Sequence, residues 1–380
     1  MTATQNPPAG FAFLVPNSSA QQENFRSAFE LLQNAVATRA FPGCAIAVTL
    51  RGELIARHAV GCFTYDAVSP AIETASIFDL ASVTKTIATT TMAMILYERG
   101  LLDLEAPVTA ILPEFAGVDP RRREVTLRML LAHASGLPAY EKLFRRAKTR
   151  DELLVAALTT DLASDPGSRA EYSDIGFIVL GVALERLADE PLDTFSKREI
   201  FGPLGMSHTI FNPSKSLQDK IVPTADESGK DFRGRIIQGE VQDENASILG
   251  GVAGHAGLFS TAEDVALFAH AMLSGGRPLL RPTTVELFTR RESTPDGTSR
   301  ALGWDTPSSP SQSGKYFGPR SYGHLGYTGT SLWIDPDRQL SITLLTNRTW
   351  PDCQNQAIKQ VRPLFHDAMI EALKTSGMIP

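Results

Sequence analysis

The pattern of apolar and polar residues predicts helices through most of the chain and pairs of strands near its two ends. Apolar residues at roughly helical spacing, such as Phe25, Phe29 and Leu32, predict amphipathic helices, and short apolar runs bounded by turn residues predict strands. The predicted helices span residues 21–38, 125–132, 151–162, 171–187, 261–273 and 356–373, and the predicted strands span 44–50, 54–64, 331–335 and 340–346. Each strand pair is separated by a short turn, so we expect two hairpins.

The order of these elements predicts an α+β fold. Strands from the two ends can join into one antiparallel β-sheet flanked by helices, and the middle of the chain then forms an inserted, mainly helical lobe. We expect a loose arm over residues 1–20, a sheet lobe over 21–80 and 248–380, and a helical lobe over 81–247. Ligands usually bind in the cleft between two lobes, so we expect the active site there.

One predicted helix differs from the others because it has no polar face. Lys85 is its sole charged residue between Leu80 and Tyr97, which is typical of a buried helix. Ser82 and Lys85 form the single Ser-x-x-Lys motif of the chain and would share one helix face. Burial disfavours an ammonium, so Lys85 could accept a proton from Ser82 near a helix N-terminus, which favours negative charge. The alternative is a capping serine and a lysine that extends to solvent.

Two other stretches could complete a site with Ser82. Tyr172-Ser173-Asp174 precedes a predicted helix, and a tyrosine there could share the role of base with Lys85. The alternative is a half-buried tyrosine followed by a helix cap. Residues 322–329 contain several glycines before the second hairpin, where backbone N–H groups could form an oxyanion hole or simply a tight strand entry. A further glycine-dense run over 250–260 predicts closely packed backbone.

Composition and missing motifs exclude several classes of function. The chain has 380 residues, 43% hydrophobic and 21% charged, and a net charge of −6, so it is a globular protein without a basic surface for nucleic acid. We expect no metal, because the seven histidines are scattered, and no nucleotide cofactor, because the glycine-rich phosphate motifs are absent. Without a long apolar run we expect no membrane span. The N-terminus lacks a secretory signal, which predicts a cytoplasmic location, or a periplasmic or secreted one if a signal has been removed. The sequence does not indicate an oligomeric state.

Taken together, the motifs resemble the serine β-lactamase and penicillin-binding-protein superfamily, specifically its class C-like branch with the family VIII carboxylesterases. The matching elements are Ser82-Val83-Thr84-Lys85, Tyr172-Ser173-Asp174 in place of Tyr-x-Asn, and His324-Leu325-Gly326 in place of Lys-Thr-Gly. The resemblance covers roughly residues 25–370. It implies an antiparallel sheet flanked by helices and a mainly helical second lobe.

The resemblance also implies a role for each matching residue. Ser82 would be acylated, Lys85 and Tyr172 would relay protons, and Asp174 would hold Lys85 in place. The backbone N–H groups of Ser82 and Tyr327 would form the oxyanion hole. Water would then release the acyl group.

The departures from the family pattern bear on the substrate. His324 is mostly neutral at pH 7 and Leu325 has no hydroxyl, so the carboxylate-binding groups of Lys-Thr-Gly are weakened before Gly326. This favours neutral ester substrates, although Arg320 could supply a charge. Asp174 is an acid where the family has an amide, so we expect it to raise the pKa of Lys85 and to make Tyr172 the working base.

Three functions therefore compete. The first is a carboxylesterase that acts on short-acyl esters through an acyl-enzyme and has weak β-lactam turnover. The second is a D-alanyl-D-alanine carboxypeptidase or a β-lactamase. The third is a non-catalytic binding or scaffold homologue, whose sign would be a lost Ser, Lys or Tyr, and none is lost. In the first two cases the partner is a small-molecule ester or β-lactam-like substrate.

Overall fold

The computed structural model describes residues 22–380, so the expected N-terminal arm, residues 1–20, lies outside the described residues. The strands are β1 (Gly43–Leu50), β2 (Glu53–Gly61), β3 (Phe78–Asp79), β4 (Ile210–Phe211), β5 (Ala225–Asp226), β6 (Ile236–Ile237), β7 (Leu258–Ser260), β8 (Tyr322–Leu325), β9 (Ser331–Asp335) and β10 (Leu340–Thr346). The α-helices are α1 (Arg26–Ala37), α2 (Thr91–Glu98), α3 (Val108–Ile111), α4 (Leu127–Leu131), α5 (Arg150–Leu158), α6 (Asp174–Ala188), α7 (Leu192–Ser196), α8 (Gly202–Leu204), α9 (Glu244–Ile248), α10 (Ala262–Leu273), α11 (Pro282–Thr289) and α12 (Ile358–Thr375).

Strands from both ends of the chain form one antiparallel sheet, as predicted. Its order is β2-β1-β10-β9-β8, and the two predicted hairpins are the pairs β1–β2 and β9–β10. The two ends meet where β1 pairs with β10, with Ala47 opposite Thr343. β8 is the edge strand of this sheet, and on its outer side the N–H and carbonyl groups of Gly323 bond to the backbone of Asp305.

Helices cover both faces of this sheet. Successive side chains of a strand point to opposite faces, so Ile46 and Val48 pack into a core with α1 and α12, while Ala45 and Ala47 pack into a second core with α10. The second core is larger and continues through α2, α4 and α6. Every residue of β1 and of β10 is buried, because the sheet is covered on both sides.

The structure differs from the sequence prediction in two places near the cleft. The helix expected at Ser82 begins as a 3₁₀ turn over Ala81–Val83, continues as a π-helix over Lys85–Thr90, and becomes α2 only at Thr91. The Ser-, Pro- and Gly-rich composition of residues 291–322 predicts a surface loop, yet Ala301, Leu302 and Trp304 within it are at most 1% exposed. That prediction was wrong for this part of the loop, because three apolar residues between turns are too few to show a period.

Candidate active site

A strained turn holds Ser82 at the edge of the cleft. Ala81, just before it, has a φ of 47°, in the left-handed region that residues other than glycine seldom adopt. The Asp79 carboxylate accepts a hydrogen bond of 2.8 Å from the Ala81 N–H and one of 2.7 Å from the Gln242 N–H. These contacts offset the strain, which costs about 1–3 kcal/mol at such residues. Ser82 is therefore fixed by the backbone before it, rather than by a regular helix.

Lys85 is fully buried beneath Ser82. Its Nζ lies 3.0 Å from Ser82 Oγ, 2.6 Å from Asp174 Oδ1 and 3.0 Å from the His255 carbonyl oxygen. Burial lowers the pKa of Lys85, and the nearby Asp174 carboxylate opposes that shift without reversing it. Asp174 thus raises the pKa of Lys85, as expected, but desolvation of the fully buried amine is the larger effect and the net shift is downward.

Tyr172 lies against the same amine. The centroid of its ring is 4.9 Å from Lys85 Nζ, and its hydroxyl interacts electrostatically with Ser82 and Asp174. Burial, together with the Asp174 charge, raises the pKa of Tyr172 well above its ordinary value, so the phenol keeps its proton at neutral pH. These pKa directions favour Lys85 as the proton acceptor and Tyr172 as the proton donor.

The loop between β8 and β9 is tied to the turn that carries Ser82. Thr328 Oγ1 donates to the Asp79 carbonyl at 2.7 Å, and Thr330 Oγ1 donates to the Leu80 carbonyl at 2.8 Å. A Cβ atom at Gly326 would clash with the same Leu80 carbonyl, so only glycine allows this approach. Among the turn and loop hydrogen bonds of residues 22–380, none uses the Tyr327 N–H, which leaves that donor free for a ligand.

His324 and Leu325 line the cleft at the end of β8. Burial, with a further contribution from Lys85, lowers the pKa of His324 to about 3, so its ring is neutral as expected. The ring Nδ1 donates to the Leu325 carbonyl at 2.8 Å, and the ring centroid is 6.0 Å from that of Tyr172. These two positions therefore present neither a cation nor a hydroxyl to a substrate.

Arg300 reaches the cleft, and Arg320 does not. Arg320 forms an ion pair with Asp337, its side chain is 71% exposed, and it does not line the cleft. Arg300 lines the cleft, with its Cζ 5.4 Å from the centroid of the Tyr172 ring and a terminal nitrogen 3.6 Å from Asp305. The suggestion that Arg320 supplies a charge was thus wrong, and no periodic or motif signal around Arg300 marked it in the sequence.

Two histidines that the sequence analysis did not assign support the site. His133 accepts a hydrogen bond of 3.0 Å from the Ser173 N–H through Nδ1, and its ring is 4.7 Å from that of Tyr172. His255 donates from Nε2 to Asp243 at 2.8 Å, which holds the carbonyl that faces Lys85. His133 lies within residues 25–370, the range that the family resemblance covers. His255 bears the one polar side chain between Gly250 and Phe259, which was an available signal.

The cleft has a volume of about 1350 Å³. The side chains that line it include Ser82, Tyr140, Phe144, Tyr172, Asp174, Phe232, His255, Arg300, His324, Tyr327, Arg348, Lys359 and Arg362. They come from the sheet, from the helical middle of the chain and from the loops that follow Leu137 and Thr289. A serine, an amine and a phenol in contact, beside a free backbone N–H, are the groups that acyl transfer through a serine needs. The fold and this cluster define the class of the protein as a serine hydrolase.

The chain belongs to the beta-lactamase family, whose model, described as Beta-lactamase, matches residues 29–362. An N-acetylmuramyl-L-alanine amidase of Bacillus subtilis (strain 168) is 33% identical over 361 residues, which are 86% of this chain and 81% of the relative. A putative D-alanyl-D-alanine carboxypeptidase of Escherichia coli (strain K12) is 32% identical over 304 residues, 72% of this chain and 70% of the relative.

Solved structures agree on the fold. EstCE1, described as a hydrolase with promiscuous acyltransferase activity, aligns with a TM-score of 0.76 and 22% identity over 92% of this chain and 99% of its own. A mutant of the simvastatin synthase LovD from Aspergillus terreus aligns with a TM-score of 0.73 and 22% identity over 94% of this chain and 97% of its own. The predicted superfamily, fold class and serine hydrolase function are confirmed, while the finer likeness to family VIII esterases stays a prediction. Within residues 22–380, no helix combines the length and apolarity needed to cross a membrane.

Proposed function

We propose that this protein is an amidase that cleaves the bond between a muramyl lactyl group and L-alanine in cell-wall fragments, through an acyl-enzyme on Ser82. The observation that carries the proposal is the 33% identity to an N-acetylmuramyl-L-alanine amidase over 86% of the chain. We also propose that the site lies between a sheet lobe, residues 21–80 and 248–380, and a helical lobe, residues 81–247. The mixed origin of the residues lining the cleft supports that division.

The groups at the end of β8 favour this amide over a D-alanyl-D-alanine end. A carboxypeptidase must bind the free carboxylate next to the scissile bond, and neutral His324 with Leu325 offers no cation or hydroxyl for it. In a muramyl peptide the carboxyl group of L-alanine is bonded to the next residue, so the leaving group has no charge at that point. The neutral end of β8, at His324 and Leu325, therefore suits the amide bond to L-alanine.

The proposed mechanism uses the contacts described above. Ser82 Oγ attacks the carbonyl carbon and passes its proton to Lys85, whose lowered pKa favours the neutral amine. The N–H groups of Ser82 and Tyr327 hold the oxyanion. Tyr172 donates its proton to the leaving nitrogen as the C–N bond breaks, and Lys85 returns a proton to Tyr172. Water then adds to the acyl group and releases the acid and free Ser82. Asp174 and the His255 carbonyl keep the amine oriented throughout.

The test is release of the alanine-bearing peptide from muramyl dipeptide, measured by chromatography. The wild-type protein should release it, and Ser82→Ala, with an unchanged circular dichroism spectrum, should not. Release of D-alanine from a D-alanyl-D-alanine peptide with no action on muramyl dipeptide would overturn the proposal. Failure on these amides, on nitrophenyl esters and on nitrocefin would favour the non-catalytic homologue.

Short-acyl esters are the second candidate, because a neutral strand end accommodates an ester as well as an amide. The matching measurement is hydrolysis of p-nitrophenyl acetate and butyrate by the same preparation. Faster turnover of these esters than of muramyl dipeptide, at equal concentration, would make the carboxylesterase the better assignment. The cytoplasmic location expected from the sequence also stays a prediction, which cell fractionation with an antibody against the chain would test.

A further inference from the structure

Arg362 is a buried cation that no acid neutralises. Only 4% of this residue of α12 is exposed, and its side chain donates to two neutral oxygens, Gln312 Oε1 at 3.1 Å and the Thr330 carbonyl at 3.3 Å. Its Nε has no hydrogen-bond partner. Burial, with a further contribution from the neighbouring Arg348, lowers the pKa of Arg362 to about 9, and no carboxylate acts against these two effects. Among the described residues it forms no ion pair.

Arg348 is a second buried cation of the same kind. It is 5% exposed, and it donates to the carbonyl oxygens of Tyr327 at 2.7 Å and Cys353 at 2.9 Å. Its guanidinium carbon lies 4.3 Å from the centroid of the Tyr327 ring. Arg348 therefore packs against Tyr327, whose N–H we propose for the oxyanion hole, and Arg362 contacts the Thr330 carbonyl in the same loop. Both arginines line the cleft.

Two other buried cations of residues 22–380 have acids beside them, whereas Arg122, which is 3% exposed, donates to three backbone carbonyls and does not line the cleft. Lys85 contacts Asp174 at 2.6 Å, and Arg233, which is 3% exposed, contacts Glu227 at 2.8 Å. A buried charge without a partner is costly, and proteins keep one where a ligand supplies the opposite charge. Two adjacent guanidiniums that lack an acid in the protein are therefore suited to an acid in the substrate.

We propose that Arg348 and Arg362 form an anion subsite that binds a carboxylate of the substrate on the Tyr327 side of the cleft. This inference rests on the proposed hydrolase function and extends it to the substrate class, which is an amide or ester with a carboxylate set back from the scissile bond. A planar guanidinium binds a carboxylate with two parallel hydrogen bonds, and the low dielectric of the buried site strengthens them. This subsite and the neutral end of β8 at His324 would bind different parts of the substrate. The end of β8 would lie beside the scissile bond, and the subsite would bind a carboxylate farther from it.

A matched pair of esters tests the subsite by kinetics. The mono-p-nitrophenyl ester of succinate and p-nitrophenyl butyrate have acyl groups of similar size, and only the first carries a carboxylate. The wild-type protein should prefer the charged ester. Arg362→Gln should lower kcat/KM for it by about tenfold or more, mainly through KM, and change butyrate by less than about twofold. Arg362→Lys should restore part of the preference, because it keeps the charge.

Binding to an inactive protein separates this inference from the proposed function. Ser82→Ala should bind glutarate in isothermal titration calorimetry, and Ser82→Ala with Arg362→Gln should not, whether or not muramyl dipeptide is a substrate. Lys359→Gln, which removes an exposed cation from the same wall, is the matched control and should leave glutarate binding within about threefold. Equal glutarate affinity with and without Arg362, binding of inorganic phosphate in place of glutarate, or an equal loss for both esters would overturn the subsite.

Discussion

Lys85 and Arg362 are both buried cations that line one cleft, yet their surroundings are opposite. Lys85 has a carboxylate, a hydroxyl and a carbonyl within 3.0 Å of its nitrogen. Arg362 has two neutral oxygens and an unpartnered nitrogen. Burial lowers the pKa of both groups. The difference is that the protein itself supplies the anion for Lys85 and supplies none for Arg362.

This difference separates chemistry from recognition. A base must hold one position relative to Ser82 during the reaction, so its partners have to belong to the protein. A binding group gains affinity only if its partner arrives with the substrate, so an internal acid beside Arg362 would compete with the ligand. The two sides of the cleft should therefore respond differently to substitution: changes around Lys85 should affect every substrate, and changes around Arg362 should affect anionic substrates only.

The largest expected effect is at the nucleophile. Ser82→Ala should reduce hydrolysis of every substrate by at least about 10⁴-fold, because the later steps cannot start without the acyl-enzyme. The side chain is small and lies at the cleft, so the melting temperature should stay within about 2 °C of the wild-type value. Steady-state assays with muramyl dipeptide and with p-nitrophenyl butyrate would measure the loss. Undiminished activity would remove Ser82 from its proposed role.

The second largest effect on activity is expected at Asp174, the carboxylate that contacts Lys85. Asp174→Asn should lower kcat/KM by about 10²-fold at neutral pH, because the amine loses the contact that orients it. The variant should also move the acid limb of the pH profile to lower pH. Burial already lowers the pKa of Lys85, and Asp174 is the largest of the effects that oppose burial, so removal of its carboxylate lowers that pKa further. A limb that moves to higher pH would show that Lys85 is not the titrating base.

The sheet and the buried Ser82 segment were predictable because their signals are local and repeated. Apolar runs with turns between them predicted both hairpins, and a stretch with one charge in eighteen residues predicted burial. The short strands β3 to β7 were missed, because two or three residues show no period. The glycine-dense run was correctly predicted to be closely packed: a Cβ at Gly254 would clash with the Phe177 carbonyl.

The electrostatics of the site could not be read from the sequence. Spacing shows which residues can meet but not how completely they are buried, so the balance between the Asp174 charge and the desolvation of Lys85 was not predictable. Arg320 stands four residues before His324 in the chain, whereas nothing in the sequence marked Arg300. Distance along the chain is a poor guide once a loop folds back, and here the loop is anchored by buried Trp304.

A smaller effect is expected at Arg300, whose charge acts on the catalytic groups from the side. Arg300→Gln should lower kcat/KM by about three- to tenfold at neutral pH, with charged and neutral substrates affected alike. The Arg300 cation helps to lower the pKa of Lys85, so its removal should move the acid limb to higher pH, opposite to Asp174→Asn. Paired pH profiles of kcat/KM for the two variants would measure these opposite shifts. Limbs that move in the same direction would contradict the electrostatic account.

The smallest effect is expected at Arg320, which provides the matched control for Arg300. Both are arginines of the same loop, and both have an acid beside them, but Arg320 is largely exposed and lies away from the cleft. Water and salt screen an exposed ion pair, which therefore contributes little to stability or to a distant site. Arg320→Gln should leave kcat/KM for the succinate ester and for butyrate within about twofold of wild type. A selective loss on the succinate ester would instead mean that the anion of the substrate is bound from this loop, and that the unpartnered arginines behind Tyr327 are structural.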